Sequence, residues 1–329
     1  MYRQTFIEIN TEALEKNVHT LLSSYPTYTY YIGVVKGNAY GHGYGIIPHL
    51  EAAGINYFAV SSLEEALEVR QRTTLPILCL QPLHINDIET CAEKNIAITI
   101  SNLELAQEIS TLNFSKTLKV HIKIDSGMNR LGFKIQKEFE DSYTLLKSTG
   151  NIEVEGIFSH FATSGIFDSY FDTQIQNFKQ ITKNVPLENF KIRHFGRSLT
   201  LPNLGKVNFC NGVRLGLVMY GLQRKPTNNK KGIVNFLRYW KRHFMAQRNG
   251  FSIEKLLASF PELHPVMRLV SEVIELKDIA TGDKVGYGAN FAVTHKAKIA
   301  VVAIGYADGF NKRNKGGWVS INGQRYQIA

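Results

Sequence analysis

The chain has 329 residues, too many for one small module and enough for a barrel of roughly 250 residues plus a shorter second unit. With 44% hydrophobic and 20% charged residues it has the composition of an ordinary globular protein, which excludes wholesale disorder and low-complexity architectures. The net charge of +10 is local: the eight Lys and Arg residues between Gln223 and Gly250, with no acid among them, leave only +2 for the rest, so basicity gives no argument for a nucleic-acid partner.

In chain order, the start MYRQTFIEIN lacks the apolar stretch of a secretion signal, and no later run approaches the roughly 18 residues needed to span a bilayer. The expectation is a cytoplasmic protein. Cys79, Cys91 and Cys210 are scattered and odd in number, which fits a reducing compartment, structural roles and no metal site. From Tyr30 to Leu222, short apolar runs alternate with helical patterns. Eight runs read as strands, over 30–36, 56–62, 76–80, 96–100, 118–125, 154–162, 191–198 and 213–221. Segments such as SLEEALEVRQR and NLELAQEIS place a Ser or Asn ahead of first-turn acids, with apolar residues three and four apart, which predicts capped amphipathic helices. Even spacing, and no Gly-rich dinucleotide fingerprint after the first strand, favour a closed α/β barrel of the (β/α)8 TIM-like type over an open sheet.

The predicted domains are a barrel over 1–222, a basic insert over 223–263 and a β-rich C-terminal domain over 264–329, where consecutive strand-like runs replace the helical rhythm. That last domain is expected to be incomplete, because the chain stops at Ala329 within a strand-like run. Within the insert, Ile233, Phe236, Leu237 and Trp240 share one helical face with basic residues opposite, a pattern read as a helix packed on the barrel or on its neighbour rather than on a membrane. Trp318 is read as packing.

Barrel chemistry sits at the C-terminal ends of strands, so the residues closing each run carry the information. Lys36 closes the first and is followed by the Gly-rich, aromatic GNAYGHGYG; Lys123 and Asp125 close the fifth, His160 the sixth, Arg197 and Ser198 the seventh, and Arg214 opens the eighth. The segments VVKGNAYGHGYG, SSLEEALEVR, HIKIDSGMNRLGF, GIFSHFATS, GVRLGLVMYGL, VGYGANF and IGYADGF together resemble bacterial alanine racemase, a pyridoxal-phosphate enzyme, from about Ile7 to Ala329 apart from the basic insert.

That resemblance implies a PLP-binding barrel with a β domain, acting as a homodimer with shared sites on a small amino acid. It makes Lys36 the cofactor-bearing lysine and first base, and Tyr287, lent by the partner's β domain, the second. A phenol ordinarily titrates near ~10, so such a base needs a polar neighbour, here His160. Arg214 would hydrogen-bond the pyridine nitrogen without protonating it, with His194 as its orienting neighbour. Tyr40, Ser198 and Gly221 would serve the phosphate. Arg130 would meet the phenolic oxygen and the substrate carboxylate, and Tyr306 would line the entrance. Lys123 is either a CO₂ adduct positioning Arg130 or an ion-pair partner of Asp125. Arg197 departs from the family's usual asparagine and could itself bind phosphate. The implied reaction is interconversion of L- and D-alanine for peptidoglycan synthesis. The alternatives are a serine or broad-specificity racemase, a PLP-carrier protein resembling the barrel alone, or a PLP-binding protein without turnover.

Overall fold

The computed structural model describes residues 4–196, 198, 200, 201, 205, 207–223 and 233–329. The chain divides into two units, Asn10–Val266 and Met1–Ile9 together with Met267–Ala329. In the larger unit eight parallel strands close a barrel in sequence order: β2 (Tyr30–Val34), β3 (Tyr57–Val60), β4 (Ile77–Cys79), β5 (Ile96–Ile100), β6 (Leu118–Lys123), β7 (Ile152–Phe158), β8 (Ile192–Phe195) and β9 (Gly212–Leu215). Closure is the pairing of β2 with β9, Tyr30 opposite Gly212 through Gly33 opposite Leu215.

Each strand falls on one of the eight apolar runs, usually ending a few residues early because the chain leaves the ladder to build loops at the barrel mouth. β2 to β5 are almost wholly apolar on both faces, as expected where one face meets helices and the other fills the barrel, whereas β6 to β9 also bury His121, Glu155, His194 and Arg214. Ile32, Tyr57, Ala59, Leu78, Ala97 and Ile192 form one such buried cluster. Full burial of a side chain of this size stabilises by roughly 1.5–3 kcal/mol. Between strands the helices start where the caps predict: Asn102 Oδ1 accepts from Leu105 N at 2.8 Å, opening Leu103–Ser110, and Ser62 Oγ accepts from Glu65 N at 3.4 Å, opening Leu63–Arg70.

The expected boundaries shift at both ends of the barrel. Residues 6–9 are not barrel: β1 (Phe6–Ile9) pairs antiparallel with β10 (Met267–Val270) in the smaller unit. The helix Ile233–Arg248 belongs to the barrel's unit, where Ala246 is buried in a cluster with Ile166 and Ile253. The faces of that helix are also redistributed. Tyr239 and Ala246 are buried while Phe236, Leu237 and Trp240, the face expected to pack, are exposed. Arg224, Lys225, Lys230 and Lys231 lie outside the described residues, as does Arg197.

The smaller unit is β-rich, as predicted. β11 (Val273–Ile279) pairs with β14 (Ala297–Val302), β12 (Lys284–Val285) with β13 (Phe291–Ala292), and β15 (Trp318–Ile321) with β16 (Gln324–Gln327). The last hairpin turns on Asn322 and Gly323, both with positive φ (50° and 80°), the two-residue Asn-Gly turn that matches strand twist. Among the described residues no helix is long and apolar enough to cross a membrane.

Candidate active site

A cavity of about 420 Å³ opens where the barrel strands end, lined from β2 round to β9 by Lys36, Tyr40, Ser61, Gln81, Lys123, Arg130, His160, Ser198, Arg214, Gly216 and Leu217, with Val34, Leu80, Leu131, Phe158 and Gly196 supplying apolar or backbone surface.

Lys36 is delivered by an unusual turn. Gly37, Asn38, Ala39 and Tyr40 all have left-handed dihedrals, with φ of 62°, 52°, 55° and 53°. For a residue with a β carbon that conformation costs roughly 1–2 kcal/mol. The turn is held from outside by Glu65, whose Oε1 accepts from Gly37 N and whose Oε2 accepts from Ser61 N, both at 2.7 Å. His42 stacks on Tyr220 at 4.2 Å and bonds through Nδ1 with Ala39 O, closing the far side. The result brings Lys36 and Tyr40 to the same cavity. Burial, then the Glu65 charge, push the Tyr40 phenol above its ordinary range, which keeps it a hydroxyl donor.

β9, the strand next to β2, ends at Leu215, and Gly216 is the first residue beyond it. Gly216 N donates to Ser198 Oγ at 3.3 Å. A β carbon at Gly216 would stand 3.5 Å from Tyr40 Oη and 3.6 Å from Ser198 Oγ, so the absent side chain leaves a small polar recess between two hydroxyls. Gly221 has a different task and corrects the expectation. It does not line the cavity; its N–H donates to Val218 O, its φ is +76°, and a β carbon there would collide with the carbonyl of His264. Gly221 lets the chain fold back on itself, and Gly216 and Leu217 are the residues sequence reading missed.

Arg214 is buried, and both of its terminal nitrogens are held by neighbouring groups. Nη2 donates to Ser159 O at 2.6 Å and Gly196 O at 3.0 Å, and lies 3.3 Å from His160 Nδ1; Nη1 donates to His194 O at 3.2 Å and meets His194 Nδ1 at 2.5 Å. Burial lowers its guanidinium to about 10, which leaves it a cation at neutral pH. Burial and the adjacent Arg214 hold His194 far below the ordinary imidazole range, hence neutral. Lys123 Nζ and Arg214 Cζ sit 4.9 Å and 5.2 Å from the centroid of the same Phe158 ring. Burial, then Arg214 and Arg130, bring the Lys123 amine down to about 7, with Asp125 opposing. Asp125 turns Oδ1 to the N–H groups of Gly127 and Asn129, at 3.0 Å and 2.9 Å, and so shapes the loop leading to Arg130.

Tyr287 and Tyr306 belong to the smaller unit. Tyr287 opens the turn Tyr287–Ala289 between Gly286 and Gly288, both of positive φ, and its side chain is 85% exposed. Tyr306 opens the turn Tyr306–Asp308 and is 62% exposed.

The model of the alanine racemase N-terminal domain matches residues 9–224, and that of the alanine racemase C-terminal domain matches residues 266–329. The chain belongs to the alanine racemase family. It is 30% identical to alanine racemase 1 of Bacillus subtilis (strain 168), an alignment covering 100% of this chain and 78% of the relative. To an alanine racemase of Streptococcus pneumoniae (strain Hungary19A-6) it is 32% identical over 99% of this chain and 82% of the relative. Among solved structures, the Bacillus anthracis alanine racemase with bound L-Ala-P superposes with a TM-score of 0.82 at 32% identity, covering 100% of this chain and 80% of that one. The alanine racemase from E. faecalis superposes at 0.84 with 29% identity, covering 100% of this chain and 82% of that one. Within the alanine racemase family, residues 225–265, which include the basic helix, fall between the two domain matches.

Proposed function

We propose that the chain is a PLP-dependent alanine racemase that interconverts L- and D-alanine by a two-base mechanism, in the cytoplasm, as a homodimer with shared active sites, and so supplies D-alanine for peptidoglycan. The observation carrying this reading is that an amine, a buried guanidinium and a recess between two hydroxyls line one cavity.

Those residues fit the cofactor. Lys36 would carry it, Tyr40 and Ser198 with the backbone at Gly216 would hold its phosphate, and Arg214 would face its pyridine nitrogen. Pyridoxal phosphate, when bound, supplies the electron sink that makes an amino-acid α hydrogen removable. Arg214 donates hydrogen bonds and keeps its own protons, so it would orient the ring without adding a proton to it. Arg130 would receive the substrate carboxylate. Lys123, with its amine brought down to about 7, has near neutrality a share of the free amine that CO₂ needs: Nζ would bond to the carbon of CO₂ and release a proton, giving a carbamate near Arg130 and Arg214. Lys36 would take the α hydrogen on one face of the substrate, and Tyr287 of a second subunit, assisted by His160, would return a proton on the other. Tyr306 would narrow the entrance.

Borohydride reduction with peptide mapping, coupled to a chiral assay of L-alanine turnover, tests the reading. Labelling at Lys36 and production of D-alanine are expected; labelling elsewhere, or none, overturns it. A second substrate reading has one observation in its favour: a histidine racemase from Leuconostoc mesenteroides superposes with a TM-score of 0.77 at 25% identity, covering 96% of this chain and 78% of that one. The fold therefore accommodates other amino acids, and the same chiral assay run with serine and histidine separates a broad-specificity enzyme from an alanine enzyme.

A further inference from the structure

Below the cavity, a row of buried polar side chains runs inside the barrel from Arg214 to residues that the mechanism leaves unused. Glu155 on β7 accepts from Tyr57 Oη at 2.9 Å and meets His121 Nε2 at 3.1 Å; His121 Nδ1 meets His194 Nε2 at 3.0 Å; His194 Nδ1 meets Arg214 Nη1. Tyr57, His121, Glu155, His194 and Arg214 are all buried. Lys191, largely exposed, lies 3.6 Å from the other Glu155 oxygen.

The direction of every proton in this row follows from its two ends. A guanidinium only donates, so His194 Nδ1 accepts. Neutral His194 then carries its proton on Nε2 and donates it to His121 Nδ1. His121 in turn carries its proton on Nε2 and donates it to Glu155. Burial opposes a carboxylate here, but the hydrogen bonds donated by His121 and Tyr57 outweigh it and hold the Glu155 carboxyl below its ordinary range, so the row ends in an anion. Burial and Glu155 push the Tyr57 phenol well up, which keeps it a donor. An isolated buried Arg214 cation is costly, and Glu155 is the anion connected to it through two imidazoles.

We propose that Glu155 is a positioning residue for the active site, its carboxylate acting through His121 and His194 to fix the orientation of the Arg214 guanidinium and to balance its charge. The inference rests on the reading of the cavity as a PLP site, but its first test does not. Neutron crystallography of the cofactor-free protein should find both His121 and His194 protonated on Nε2 alone. A proton on His194 Nδ1, or two on His121, overturns the proposal. In the loaded enzyme Glu155→Gln keeps an acceptor and removes the charge. It should lower kcat by roughly 10-fold or more with KM within about threefold, and shift the absorbance of the bound cofactor, at unchanged far-UV circular dichroism. Glu155→Asp should recover part of the loss. Unchanged kcat and spectrum in Glu155→Gln overturn the proposal, as does an equal loss in Lys191→Met, which would mark Glu155 as a surface ion-pair partner only. Should the glutamine variant fail to fold, the proton positions in the unsubstituted protein decide the question. If Lys36 cannot be trapped while the two tautomers are as stated, the cofactor reading falls and the proton row stands.

Discussion

The two units of this chain handle their polar and apolar groups in opposite ways. In the barrel, His121, His194, Glu155 and Arg214 are buried and hydrogen-bonded to one another. In the β unit, Ile274 (53%), Leu276 (62%) and the candidate base Tyr287 (85%) are exposed. A barrel that desolvates charges builds a rigid site; a sheet that leaves apolar side chains and a phenol uncovered has the form of a surface offered to another molecule. On the proposed reading, the contrast means that the barrel would hold the cofactor by itself but would offer a base on only one face of the substrate.

The severest way to break the contrast is at Lys36. Lys36→Ala should abolish reductive labelling and lower racemisation by ~10³-fold or more, since it removes both the attachment point and one base. Labelling that persists at another lysine would move the site out of this cavity. Next comes the lending of the phenol. Tyr287→Phe alone should keep cofactor binding and impair exchange preferentially for one enantiomer. Mixed with Lys36→Ala under conditions that let subunits exchange, the two inactive chains should regain about one quarter of wild-type activity, because half of the dimers are hybrids and one of their two sites has both bases intact. No regain on mixing would mean that each subunit uses its own Tyr287.

How much of this was legible in the sequence follows from the range of the interactions. The eight barrel strands, their capped helices and Lys36 are local patterns, and the structure puts them where the pattern does. β1 was read as barrel because nothing in FIEI says that its partner is Met267–Val270, some 260 residues away. Gly216 and Gly221 both lie in RLGLVMYGL; only the end of the ladder at Leu215 decides that Gly216 reaches the cavity. His121 and Glu155 looked like ordinary strand residues, although a charged residue in VEGIF was a signal in itself. Glu65 was read as a first-turn acid of a helix, and its bond to Gly37 became visible only when β2 and β3 lay side by side.

The buried amine of Lys123 sharpens the barrel half of the comparison through pH. Its cationic form is disfavoured by folding, so in CO₂-free buffer the penalty is full below about pH 7 and fades as pH rises toward the ordinary lysine range. Lys123→Met should therefore stabilise the protein against urea at pH 6, on the order of 2 kcal/mol, and the advantage should shrink by pH 9.5. A pH-independent difference would mean that Lys123 is charged or neutral alike in both states. Carbon-13 NMR with labelled bicarbonate, near pH 7, checks for the carbamate directly.

The smallest effect is expected where the cavity lacks a side chain. Gly216 is not held in a left-handed conformation, and an added β carbon would meet Tyr40 Oη and Ser198 Oγ at ordinary contact distance, so Gly216→Ala should fold with a melting temperature close to that of the parent. The methyl would nonetheless occupy the recess between the two hydroxyls. If that recess holds the phosphate, cofactor affinity should fall about tenfold, which corresponds to roughly 1.4 kcal/mol, and turnover at saturating cofactor should change less. Fluorescence titration of the cofactor-free protein measures this. Undiminished affinity would move the phosphate elsewhere on the barrel mouth, whereas Gly221→Ala, which drives a methyl into the carbonyl of His264, should instead lose stability whether or not cofactor is present.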